Sequence, residues 1–207
     1  MTILIDATPL LLQSAGVKNY LYHWIAALRR QARGESIRLF PVLGELGGLR
    51  HDGSVLPPWS TWPRLGVLYL ANLCRNPAID WIAAGADLFH ATNQIRRPPR
   101  RTRLTATVHD MTCWLMPDRH TPANVRADRH FAEVVLRRAA RLIAVSHNTK
   151  ADAVRLLDLD PDRVEVIYPG IAESFFVCSD ADISRIREHY RLTRPYVLSV
   201  GTLEPRK

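Results

Sequence analysis

The chain of 207 residues has little cysteine. Cys74, Cys113 and Cys178 stand far apart and no C-x-x-C pair exists. That spacing points away from a thiolate zinc site and from a disulfide framework, and the odd count without a secretory signal fits a reducing compartment. Long hydrophobic runs are also missing. The longest, Leu65 to Cys74, is about half the ~20 residues of a membrane span. The opening residues, MTILIDATPLLLQ, carry Asp6 inside the apolar run and have no basic leader. They read as a first strand, not a signal peptide. With 10 glycines and 14 prolines, the chain is neither collagenous nor of low complexity. No G-x-G-x-x-G follows the first strand, which sets the dinucleotide fingerprint aside.

The composition is that of a globular protein, 47% hydrophobic and 23% charged. The net charge of +8 is uneven: +2 over residues 1–93, +7 over 94–141 and −1 over 142–207. The basic loop 93–103 holds Arg96, Arg97, Arg100, Arg101 and Arg103. It has no interleaved aromatics and no recognition motif, so nucleic acid is not the expected partner. Arg126, His130, Glu133 and Arg137 fall on one face of a downstream helix. Two readings stand for these cations. They attract an anionic membrane surface, or they form a solvated face with pairs such as Glu133–Arg137.

Short β-branched runs alternate with helical patterns. Strands are expected at Thr2–Ala7, Ser36–Leu43, 86–92, 104–110, 141–146, Arg163–Tyr168 and Pro195–Gly201. Helices are expected from Gly16 to about Arg33, over Leu65–Cys74, Ala123–Ala140 and 147–157, and over 180–191. Residues 44–63 read as loop. The alternation predicts an α/β, doubly wound, mostly parallel sheet with helices on both faces.

Ligands of such sheets bind beyond the carboxyl ends of the strands, which selects four places. Gly16 opens the first helix, whose N-terminus offers unpaired N–H groups; it is either plain loop geometry or a phosphate approach. His109 and Asp110 end the fourth strand. The imidazole either hydrogen-bonds a ligand or caps the strand, and Asp110 is a turn residue or cleft residue. Ser146 is a helix N-cap, or presents its hydroxyl to a ligand. Arg206 and Lys207 are a solvated basic tail, or a pair suited to a diphosphate.

Taken in order, IDATPLLLQSAGVKNYLYHWIAAL, DLFHATNQ, TVHDMTCWLMPD, RRAARLIAVSHNTKADAV, DRVEVIYPGI and YVLSVGTLEPRK resemble glycosyltransferase family 4, retaining enzymes of the GT-B fold. The resemblance implies a Rossmann-like acceptor-side domain over 1–193, with 194–207 starting a nucleotide-sugar-binding domain, so that the chain reads as a fragment. It implies sugar transfer from a nucleotide-sugar donor to a glycan or polyprenyl-lipid-linked acceptor, with retention, in cell-surface polysaccharide synthesis. The implied place is the cytoplasm or the inner face of the membrane. The nucleotide sugar is a substrate, and no metal or other cofactor is expected. By the same resemblance Gly16, Arg206 and Lys207 lie at the donor diphosphate and His109 at the donor sugar and acceptor. Ser146 matches a serine of uncertain role. Asn19 and Thr202 depart from the family pattern, and its paired glutamates would lie beyond Lys207. The alternatives are a non-catalytic acceptor or membrane-surface module and, further off, a basic nucleic-acid-binding protein.

Overall fold

In a computed structural model, the described residues are all but 15, 42, 74–77, 172–174 and 202–207. The chain forms two compact units, Met1–Pro169 and Gly170–Lys207.

The first unit is built on six parallel strands: β1 (Thr2–Asp6), β2 (Ser36–Phe40), β3 (Leu88–Ala91), β4 (Arg103–Val108), β5 (Arg141–Ala144) and β6 (Val164–Val166). Their order is β2-β1-β3-β4-β5-β6. Growth runs one way from β1 to β2 and the other way from β3 to β6, so the sheet is doubly wound, as expected. Each strand is shorter than its apolar run: Thr92 leaves the β3 ladder and bonds Asp6, and Ser146 leaves β5 and caps α6.

The pleat sends alternate residues to opposite faces. Ile3 and Ile5 pack with Leu21 and Ile25 of α1 (Gly16–Gln31). Leu4, Phe89, Ala106 and Leu142 belong to the second core. That core also takes in α2 (Pro58–Leu73) through Leu68 and Ala71, α3 (Ala78–Ile82) through Ile79, and α6 (His147–Leu157) through Ala153 and Leu157. Helix α4 (Thr112–Leu115) is a single turn after β4. Helix α5 (Pro122–Phe131) is capped by Thr121, whose hydroxyl accepts from Asn124 N at 3.3 Å.

The expected helix Ala123–Ala140 is not one α-helix. After Phe131 it continues as a π-helical turn over Ala132–Leu136, closed by Arg137 N donating to Ala132 O at 3.0 Å. The wider turn lets Ala132, Val135 and Leu136 all reach the core. The helix expected to start at Leu65 starts at Pro58, where proline at a first helical position needs no N–H partner. Among the described residues no helix is long and apolar enough to cross a membrane.

In the second unit, α7 (Asp180–His189) is capped by Ser179 and buries no residue. The strand expected at Pro195–Gly201 does not form: residues 195–201 carry no strand. A strand needs a neighbour to take up its backbone groups, and here Val197 is 98% exposed.

Candidate active site

The carboxyl ends of β1, β3 and β4 converge on a hydrogen-bonded centre. Asp6, ending β1, is fully buried. Its Oδ1 accepts from Thr8 N at 3.2 Å and from Thr8 Oγ1 at 2.6 Å, and its Oδ2 accepts from Thr92 Oγ1 at 2.9 Å. Burial pushes the Asp6 carboxyl up, with the Thr8 and Thr92 bonds pulling it back. The carboxylate thus braces the ends of β1 and β3. A lone acid inside an apolar run was its signal in the sequence.

His90 of β3 is sandwiched in the sheet. Its Nδ1 and Nε2 each lie 2.9 Å from a threonine hydroxyl of β4, those of Thr105 and Thr107. Trp24 of α1 covers it, with ring centroids 4.9 Å apart. Burial first, and then His109, hold the His90 pKa down to about 3. The ring is neutral and structural. Strict alternation in DLFHA places it on the α1 face, between Phe89 and Ala91.

His109 follows β4. Its Nε2 is buried with no hydrogen-bond partner among the described residues. Burial lowers its pKa, and neighbouring Asp110 acts against that. The ring meets Tyr20 edge to face, and Tyr20 stacks on Trp24 at 6.1 Å. Burial raises the Tyr20 phenol, with Thr107 acting against it. His109 and Asp110 line a cavity of about 120 Å³ with Val17, Thr92, Asn93 and Asp128. Val17 belongs to the first turn of α1, so that helix presents its N-terminal end to the cavity. The Asp110 carboxylate accepts from Thr112 N at 2.9 Å and Thr112 Oγ1 at 2.6 Å, a turn that opens α4.

Gly16 begins α1. A Cβ built on it would meet no atom within 4 Å, so neither packing nor backbone strain demands glycine there. Behind it, Lys18 is fully buried. Its Nζ donates to Leu12 O at 2.7 Å and to Gly53 O, tying Leu12 to the loop before α2. Burial lowers this amine's pKa; Asp52 opposes the shift and Arg50 adds to it. Lys18 sits three residues before Leu21 and seven before Ile25, on the buried stripe of α1, and that spacing was legible.

Ser146 caps α6: its Oγ accepts from Thr149 N at 3.1 Å. It is not among the lining residues of the His109 cavity. Arg206 and Lys207 lie outside the described residues.

Comparison with known proteins now adds to this geometry. O-antigen chain mannosyltransferase B of Escherichia coli is 26% identical over 121 residues, which are 58% of this chain and 32% of that protein. Among solved structures, Anabaena HepE is similar in complexes with UDP (TM-score 0.48) and UDP-glucose (TM-score 0.49). Each is 19% identical and matches 92% of this chain and 50% of that one. The chain thus spans about a third of the curated relative and half of the solved structures. The model of Glycosyltransferase Family 4 matches residues 14–175, a stretch that contains α1, the His109 cavity and the α6 cap. The chain belongs to Glycosyltransferase Family 4.

Proposed function

We propose that this chain is the acceptor-side part of a retaining glycosyltransferase that moves a sugar from a nucleotide-sugar donor to a glycan or lipid-linked glycan. Family membership supports the reaction class. One observation carries the site: the unpartnered Nε2 of His109 on a cavity shared with the first turn of α1. The mannosyltransferase relative, named for O-antigen chains, supports a hexose and a cell-surface polysaccharide. The complexes of HepE are with UDP and UDP-glucose.

The chemistry follows from charge. As the sugar departs it gains oxocarbenium character and the nucleoside diphosphate gains negative charge. A neutral His109 orients a sugar or acceptor hydroxyl by a hydrogen bond and adds no positive charge beside the developing cation. The N–H groups of α1 near Gly16 face the anionic side. Arg206 and Lys207 would hold the diphosphate from the start of the next domain, which we place at residue 194. Asp110 is committed to its turn, so no side chain here is cast as a hydrolase-like nucleophile.

The test is a transfer assay on a protein containing this chain and its following domain, with a panel of UDP- and GDP-hexoses. Transfer with the donor's anomeric configuration kept is expected, with a loss of at least tenfold in His109→Ala. Inverted product would overturn retention, and an unaltered His109→Ala would remove the histidine's role.

A further inference from the structure

Helix α5 sorts its charges. Its one acidic residue, Asp128, lines the His109 cavity, while Arg126 and His130 line a separate cavity of about 490 Å³ with Arg96 and Arg97. Spacing explains the placement. Phe131 and Ala132 follow Asp128 by three and four positions, so the three share one stripe, and all three line the His109 cavity. Asp128 is the exposed member of that stripe and stands at the rim. Among the described residues its carboxylate accepts no hydrogen bond and forms no ion pair. Arg129, the next residue along, lies over the Trp114 ring, 5.6 Å from its centroid, and is not among the residues lining the cavity.

The His109 cavity as a whole is short of cations. No lysine or arginine is among the described residues that line it. His109 adds none, because burial lowers its pKa. Asp110, held in its turn by Thr112, brings a second carboxylate to the mouth. The rest of the wall suits a sugar, which has C–H faces and a ring of hydroxyls. Met111, Phe131 and Leu136 are apolar, and Trp114 is half-buried and offers ring surface. Asn93 accepts from Gln94 Nε2 at 3.2 Å through Oδ1, so its Nδ2 stays available as a donor. The buried, unpartnered Nε2 of His109 is an independent sign that a polar ligand belongs here.

We propose that Asp128 selects the acceptor by charge: its carboxylate takes the hydroxyls of an uncharged sugar and repels a sugar that carries a carboxylate or phosphate there. The word acceptor rests on the reading of this cavity given above. Two oxygens of one carboxylate accept from neighbouring hydroxyls, and such charge-assisted bonds are stronger than neutral ones. A like charge brought within about 4 Å weakens binding about fivefold even in water. Asp110 acts in the same direction. An asparagine at position 128 would still accept a hydroxyl through Oδ1 but would repel nothing, so one substitution separates charge from hydrogen bonding.

The test titrates the 207-residue chain with methyl glucoside and with methyl glucuronide, which differ by the carboxylate at C6. NMR follows the Trp114 indole N–H and the His109 ring. The parent should prefer the glucoside about fivefold at low salt, and the preference should narrow as salt is added. Asp128→Asn should cut that preference at least threefold, and Asp128→Lys should reverse it. The side chain is exposed, so both variants should unfold at the parent temperature. Three results would overturn the proposal: equal binding of the two glycosides by the parent, a preference unaltered in Asp128→Asn, or neither glycoside moving the two signals. A preference set by Asp128 in a protein that transfers no sugar would remove the transfer reading and leave the charge selection standing. Transfer whose acceptor preference ignores Asp128 would do the reverse.

Discussion

His109 meets Tyr20 edge to face, with ring centroids 5.2 Å apart and planes at 85°. The contact hands the histidine from its strand end to a helix, and it helps keep the imidazole away from water. Tyr20→Leu should therefore raise the His109 pKa towards its ordinary value, because less burial means less penalty on the charged form. Stability should fall by about 1 kcal/mol from the lost ring pair. NMR titration of the His109 ring checks the first, and urea unfolding the second.

His90 makes the fold acid-sensitive. Its folded pKa is held near 3 from an ordinary 6.5, so below that ordinary value the unfolded chain binds a proton the folded chain refuses. Its contribution is whole above about pH 6.5 and is lost as pH falls towards about 3, at roughly 1.4 kcal/mol per pH unit. Parent protein should lose about 2 kcal/mol more than His90→Gln between pH 7 and pH 5, measured by denaturant unfolding. Equal losses would assign the acid sensitivity elsewhere.

Ser146→Ala separates the two readings of that serine. Loss of the cap on α6 should cost about 1 kcal/mol. If capping is its work, nucleotide-sugar binding by calorimetry should not change. A variant of unaltered stability that binds donor more weakly would reverse the assignment.

Lys18→Met keeps much of the stem and removes the two bonds from Nζ. The carbonyls of Leu12 and Gly53 then lose a buried donor, at a cost of about 1–2 kcal/mol. Hydrogen exchange should quicken around residues 10–12 and 53–55, where Val55 N donates to Leu10 O. Exchange that rises everywhere would mean a global effect.

The parallel sheet was legible because buried strands read as short β-branched runs, and Ile3 to Ile5 or Leu142 to Ala144 can do little else. Helix α2 was not legible at its start. Pro57-Pro58 signals a loop, and Ser60 and Thr61 inside with Trp59 and Trp62 outside reverse the usual pattern. The π turn was not legible because the apolar stripe from Phe131 to Ala139 fits an α-helix equally well. Of the candidate residues, His109 of the cavity and Ser146 of the α6 cap could be found as strand ends. The partners of Asp6 and His90 could not, because Thr92, Thr105 and Thr107 become neighbours only through pairing across the sheet.

The π turn at Ala132–Leu136 acts as a gear tooth. It adds one residue to a helix whose far end is fixed by Ala139 in the core. Deleting any one residue of that turn would restore an ordinary α-helix and rotate all of α5 by about 100°. Asp128 and Phe131 would swing off the His109 cavity and the Arg126–His130 edge off its own, in a single motion. The angular setting of α5 over the two cavities is thus carried by one extra backbone unit in a turn whose Ala132 and Leu136 themselves line the His109 cavity.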